Sequence, residues 1–194
     1  MSRIATVERT TRETSVRVTV DLDGTGAREV ATGVGFLDHM VETLARFSHI
    51  DIQLSCEGDL HIDAHHTIED CALSLGQAVG EALGDKRGIH RFGHAYAPLD
   101  EALARAVVDL SGRPWPDITL DLTRERLGEL DTDDLVHFFQ SFAIAARASL
   151  HVDVLKGRFD HHKAEAAFKA TALALRHAIA RDGGDDVPSL KGTL

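Results

Sequence analysis

The most restrictive pattern in this 194-residue chain occurs twice. His65-His66-Thr67-Ile68-Glu69-Asp70 is matched by His161-His162-Lys163-Ala164-Glu165-Ala166, and each copy opens an apolar, small-residue helical run. The first continues through Ala72, Leu73, Leu75, Ala78, Val79 and Leu83, the second through Ala167, Phe168, Ala170, Leu173, Leu175 and Ile179. Residues three and four apart on a helix share a face, so Glu69 projects beside His65 and His66, and Glu165 beside His161 and His162. Neutral imidazole and carboxylate at this spacing form a metal-ligand arrangement, as Glu-x-x-His pairs do in carboxylate-bridged bundles. One copy alone could be two histidines falling side by side on a solvated helix start. Two copies with matched surroundings argue against that accident.

The duplication reaches well beyond the histidines. Two strands are expected between Ala5 and Leu22, the second marked by Val16, Val18, Val20 and Leu22 alternating with Arg17, Thr19 and Asp21. Asp23-Gly24-Thr25-Gly26 is a turn, a helix follows over about 37–47, Ile50, Ile52 and Leu54 mark a strand, and a long helix spans about 67–83. The second half replays this order: strands over 92–98 and 102–110, a helix over about 133–148, a strand through Leu150, Val152 and Val154, and a last long helix. His39 stands 26 positions before His65, and His137 stands 24 before His161, so the repeat carries candidate ligands as well as scaffold. The pattern predicts an α+β fold of internally duplicated strand-strand-helix-strand-helix units, with two sheets and helices packed on one face of each. Residues 1–88 form the first repeat, 89–181 the second, and 182–194 an extended tail. His61 is expected on a strand and not as a ligand.

The pooled donors are His39, His65, His66, Glu69, His137, His161, His162 and Glu165. Eight donors suit two metal ions with open positions, and imidazole with carboxylate but no thiolate favours Mn, Fe, Co or Zn. A structural zinc needs fewer ligands and a closed tetrahedron. Neighbouring histidines on a helix point about 100° apart, so each pair would serve two different ions, in sites shared between repeats or between subunits. The net charge of −10 excludes a broad phosphate-backbone surface, leaving a small anionic ligand possible. No apolar run reaches the roughly 20 residues that span a bilayer, and the first residues have no signal-peptide core. Cys56 and Cys71 are too few for a disulfide framework, which predicts a reducing cytoplasm.

Several further stretches carry a specific resemblance. They are Phe36-Leu37-Asp38-His39-Met40, the run from Gly58 to Asp70, the run from Leu83 to Ile89, Arg91-Phe92-Gly93, Pro98-Leu99-Asp100-Glu101, the run from Asp109 to Pro114, Asp160-His161-His162 with Glu165-Ala166 and Phe168-Lys169-Ala170, and the run from Pro188 to Gly192. In these the chain resembles the imidazoleglycerol-phosphate dehydratase family of histidine biosynthesis over essentially its whole length. The resemblance implies a 24-subunit particle with two Mn2+ per active site, built at subunit contacts, and the eight donors above as the manganese ligands. It implies that His39, Arg91, Arg113, Lys169, Ser189 and Lys191 contact the substrate or its phosphate, and that Glu13 is a substrate-binding carboxylate. Glu13 and Glu165 are the candidates for proton transfer.

The implied reaction takes a hydroxyl from the ring-attached carbon of the glycerol side chain and a proton from the middle carbon, giving an enol that becomes imidazole acetol phosphate. Phe47 and Thr43 depart from the histidine and glutamine usual at those family positions. Two other readings compete. A non-catalytic metal-binding shell would make the basic residues dispensable, and a dinuclear metal hydrolase usually relies on bridging aspartates rather than imidazole.

Overall fold

The computed structural model describes residues 2–194. The first half runs β1 (Ile4–Thr10), β2 (Thr14–Asp21), β3 (Arg28–Ala31), α1 (Gly35–Ser48), β4 (Asp51–Gly58) and α2 (His65–Leu83). The second runs β5 (Phe92–Leu99), β6 (Ala102–Asp109), β7 (Trp115–Thr119), the small hairpin β8 (Arg126–Leu127) and β9 (Leu130–Asp131), α3 (Thr132–Ala145), β10 (Ser149–Lys156) and α4 (Asp160–Ile179). The sheets have the orders β1-β2-β4-β3 and β5-β6-β10-β7, which are the same order in the two halves. The architecture is α+β, as expected.

Strand periodicity sets the faces. Val16, Val18 and Val20 on β2 and Ile52, Leu54 and Cys56 on β4 point inward, while Arg17, Thr19, Gln53 and Ser55 do not. The expected unit lacked an edge strand in each four-stranded sheet, and in the second half it also lacked the β8–β9 hairpin. β3 and β7 are edge strands that pair in parallel with β4 and β10. They are short, and β3 has no buried residue to mark an inward face, so the period-2 signal is weak there. His61 is also corrected: it stands in a turn closed by the Ile62 N–H donating to the Asp59 carbonyl at 2.8 Å.

The inward faces meet a layer of four helices. α2 packs on β1, β2 and β4, and α4 packs on β5, β6 and β10. The helices also pack across the halves, α1 on α4 and α2 on α3, so both sheets share one core. Small residues allow the approach on the second side: Ala164, Ala167, Ala170, Ala174 and Ala178 of α4 are buried along with Ala95, Ala97, Ala102, Ala104 and Ala106 of the sheet. At Gly93 a Cβ would lie 1.9 Å from the Ala174 carbonyl oxygen, so only glycine fits. Aromatic rings fill the middle, with Phe168 centred 4.5 Å from Phe139 and 5.2 Å from Phe138.

The tail is strapped to the α2–β5 connection. Gly88 N–H donates to the Asp186 carbonyl at 2.9 Å, and the Arg91 guanidinium donates to the Pro188 carbonyl at 2.9 Å. No helix among the described residues is long and apolar enough to cross a membrane.

Phe168 of α4 is fully buried against Phe138 and Phe139 of α3, so Phe168→Ala is expected to cost about 3–5 kcal/mol through lost burial and a residual cavity. The denaturant midpoint against the parent protein measures it.

Candidate metal centre

Each clustered set of donors is built from both halves of the chain. His39 on α1 meets His161 and Glu165 on α4, and His137 on α3 meets His65 and Glu69 on α2. Within each triad one ligand atom from every residue lies within 4.8 Å of the others. In the α1/α4 triad, Nε2 of His39 is 3.3 Å and Nε2 of His161 3.4 Å from the same Glu165 oxygen. In the α2/α3 triad, Nε2 of His137 is 3.1 Å from Glu69 Oε1, and the His65 and His137 rings stack with centroids 4.9 Å apart. The histidines are open to solvent on one side, with side-chain exposures of 47% for His39 and 50% for His161 above a Glu165 at 14%. Such a set suits a borderline or hard divalent cation with room for exchangeable ligands.

The structure brings together six of the eight expected ligands and turns the other two away. The His65 and His66 rings are 6.0 Å apart at 68°, and those of His161 and His162 are 6.1 Å apart at 86°. His66 Nδ1 is 3.0 Å from Asp59, while its Nε2 faces Glu13 at 3.9 Å from the β1–β2 turn. His162 Nδ1 is 2.8 Å from Glu101, which lies in the β5–β6 turn. A hydrogen bond at Nδ1 leaves Nε2 as the donor atom of each ring, the arrangement by which metal-binding imidazoles are commonly oriented.

Electrostatics follow from these partners. The Asp59 hydrogen bond raises His66 above the usual imidazole range, and the Glu101 hydrogen bond does the same for His162. Glu101 is held down to about 2 by His162 and by the Phe159 and Arg158 backbone N–H groups. Burial pushes Glu165 up, but the Lys169 ammonium at 2.8 Å, with His39, outweighs it and leaves the carboxyl below its usual range. Lys169 also sits 5.5 Å over the Phe47 ring.

Of the expected anion-binding residues, Lys169 alone touches a triad among the described contacts. Arg91 is engaged with Asp109 at 2.7 and 3.0 Å and with the tail. Arg113 is exposed, and Ser189 and Lys191 lie on the tail. Sequence reasoning missed Asp59, Glu101 and Asp134, the carboxylates that hold histidine Nδ1 atoms. Their signal is the rule that a ligating imidazole needs an acceptor behind it, which gives no sequence spacing to search.

The imidazoleglycerol-phosphate dehydratase family profile matches residues 32–175, which contain both triads. This chain belongs to the imidazoleglycerol-phosphate dehydratase family. An imidazoleglycerol-phosphate dehydratase of Zymomonas mobilis is 57% identical over 196 residues, covering 100% of both chains. One of Phytophthora nicotianae is 56% identical over 99% of this chain, which spans 42% of that longer protein. The crystal structure of the Staphylococcus aureus dehydratase has a TM-score of 0.83 at 35% identity, over 92% of this chain and 99% of that one.

The Glu101–His162 pair is fully ionised between the ordinary values of glutamate and imidazole. It weakens as pH rises through the raised His162 value and as pH falls toward 2. In Glu101→Gln the His162 ring should therefore titrate at lower pH than in the parent protein, measured by histidine ring-proton NMR on metal-free protein.

Proposed function

We propose that this chain is a hydro-lyase that dehydrates imidazoleglycerol phosphate to imidazole acetol phosphate at a dinuclear manganese site. The observation that carries the reading is the pair of His-His-Glu triads at equivalent places of a duplicated fold, in a chain of the dehydratase family. The donor chemistry fits the metal: two imidazoles and a carboxylate per triad, with both thiols buried elsewhere. His39, His161 and Glu165 would hold one ion and His65, Glu69 and His137 the other. When bound, the ions supply Lewis acidity toward the substrate's imidazole ring.

His66 and His162 project from the same helices but away from the triads, with Nδ1 anchored. They are suited to complete sites on neighbouring copies, which supports active sites at subunit contacts in a homo-oligomer, the 24-mer of the family. Repeats 1–88 and 89–181, with 182–194 as a substrate-contacting tail, complete the organisation. Free Cys56 and Cys71 accord with a reducing cytoplasm.

The chemistry needs a hydroxide equivalent to leave one carbon and a proton to leave the next. We assign Glu13, which is exposed at a hairpin turn and faces His66, to take the proton from the middle carbon as a general base. Glu165, held ionised beside Lys169, serves as a ligand and as a second candidate for proton traffic. Lys169 offers its ammonium at the rim of the α1/α4 triad to an arriving phosphate, with Arg91, Arg113, Ser189 and Lys191 completing the grip.

Metal-stripped protein should regain turnover of imidazoleglycerol phosphate on adding manganese, and His66→Ala should abolish it. Fully metallated, assembled protein that leaves the substrate untouched would return the storage reading to first place. Glu13→Gln is expected to lower kcat about 10²–10⁴-fold with manganese content unchanged. Full turnover by that variant removes Glu13 from the proton step.

A further inference from the structure

The two triads occupy equivalent places, yet their surroundings differ in charge. Three residues before His137, one turn back on α3, stands Asp134; three residues before His39, at the same place on α1, stands Phe36. Asp134 is 8% exposed, and its Oδ1 lies 2.7 Å from His65 Nδ1. That contact fixes Nδ1 as the proton-bearing nitrogen and leaves Nε2 as the donor, with a carboxylate behind the ring to strengthen it. Phe36 instead packs against His161 in a T-shaped pair, with ring centroids 5.2 Å apart at 75°. A hydrocarbon ring can steer the imidazole but offers no carboxylate acceptor and brings no charge.

The second difference lies one turn after each glutamate. Lys169, four residues after Glu165, places its ammonium 2.8 Å from that carboxylate. Leu73 occupies the matching position after Glu69. The α1/α4 triad therefore carries a carboxylate offset by an ammonium, while the α2/α3 triad carries Glu69 and the nearby Asp134 with no matching ammonium. Both differences favour a cation at the α2/α3 triad. Asp134 also lies in the first turn of α3, where a carboxylate complements the helix dipole, but so does Asp133, which is exposed. Only Asp134 reaches the imidazole.

We propose that the two cation centres are unequal: Asp134 acts as a positioning residue that makes the His65–Glu69–His137 centre the tighter one, and Lys169 weakens the His39–His161–Glu165 centre. The proposal rests on the two-cation reading above. Loading is then stepwise, with a half-filled species at one ion per chain.

The test titrates metal-stripped protein with manganese and follows the free hexaaquo ion by electron paramagnetic resonance. Two classes of site are expected, one ion per chain in each, with dissociation constants at least about tenfold apart. Asp134→Asn should weaken the tight class by about 10–100-fold and merge the two. Lys169→Met should tighten the weak class, and Asp133→Asn, which removes the same charge from the same helical turn, should leave both in place. Two equal sites in the parent protein, or equal shifts in Asp134→Asn and Asp133→Asn, would overturn the proposal and leave the two-cation reading standing. Binding of no manganese would sink that reading and this proposal together.

Discussion

The packing of helices from one half against helices from the other governs everything else in this molecule. α1 lies on α4 and α2 on α3, and each contact brings a histidine from one half onto a His-x-x-x-Glu segment from the other. The close approach depends on small side chains and on a shared core of buried phenylalanines. The same burial that excludes water from the helix layer sets the ligand spacing at its rim. Stability and site geometry therefore draw on one set of contacts, and a cavity in the layer would disturb both.

Around that layer, β-hairpin turns supply the polar fittings. The turn between β5 and β6 delivers Glu101 both to His162 and to the backbone N–H groups of Arg158 and Phe159 at 3.0 Å each, just before α4 begins. In the first half the corresponding turn brings Glu13 toward His66, while Asp59 of the β4–α2 loop takes the Nδ1 position. The sheets thus do more than cover the helices: their connections orient the histidines that the triads leave out.

Much of this was readable from the chain because its strongest signals are periodic. The alternation in β2 and β4, the helical runs after each His-His pair and the spacing of His39 and His137 gave the fold class and six residues that the structure brings together. What escaped was what has no period. β3 and β7 are short parallel edges, and parallel pairing leaves no turn signal because the partner strand follows a helix. Asp134 looks like an ordinary acidic residue at a helix start, and its contact with His65 is set by tertiary packing alone. The divergence of His66 and His162 followed from helical geometry, yet the carboxylates behind them lie at unrelated distances along the chain, from Asp59, seven residues away, to Glu101, sixty-one away.

That each triad straddles the two halves has a consequence for how far the two centres can differ. A lone unit with one α1-type histidine and one His-His-x-x-Glu helix could form neither centre by itself, but two copies related by a twofold axis would form both at once, and identically. Joining the copies in one chain releases the centres from that symmetry, since a change at one no longer forces the same change at the other. Phe36 opposite Asp134, and Lys169 opposite Leu73, are the differences that such a release permits.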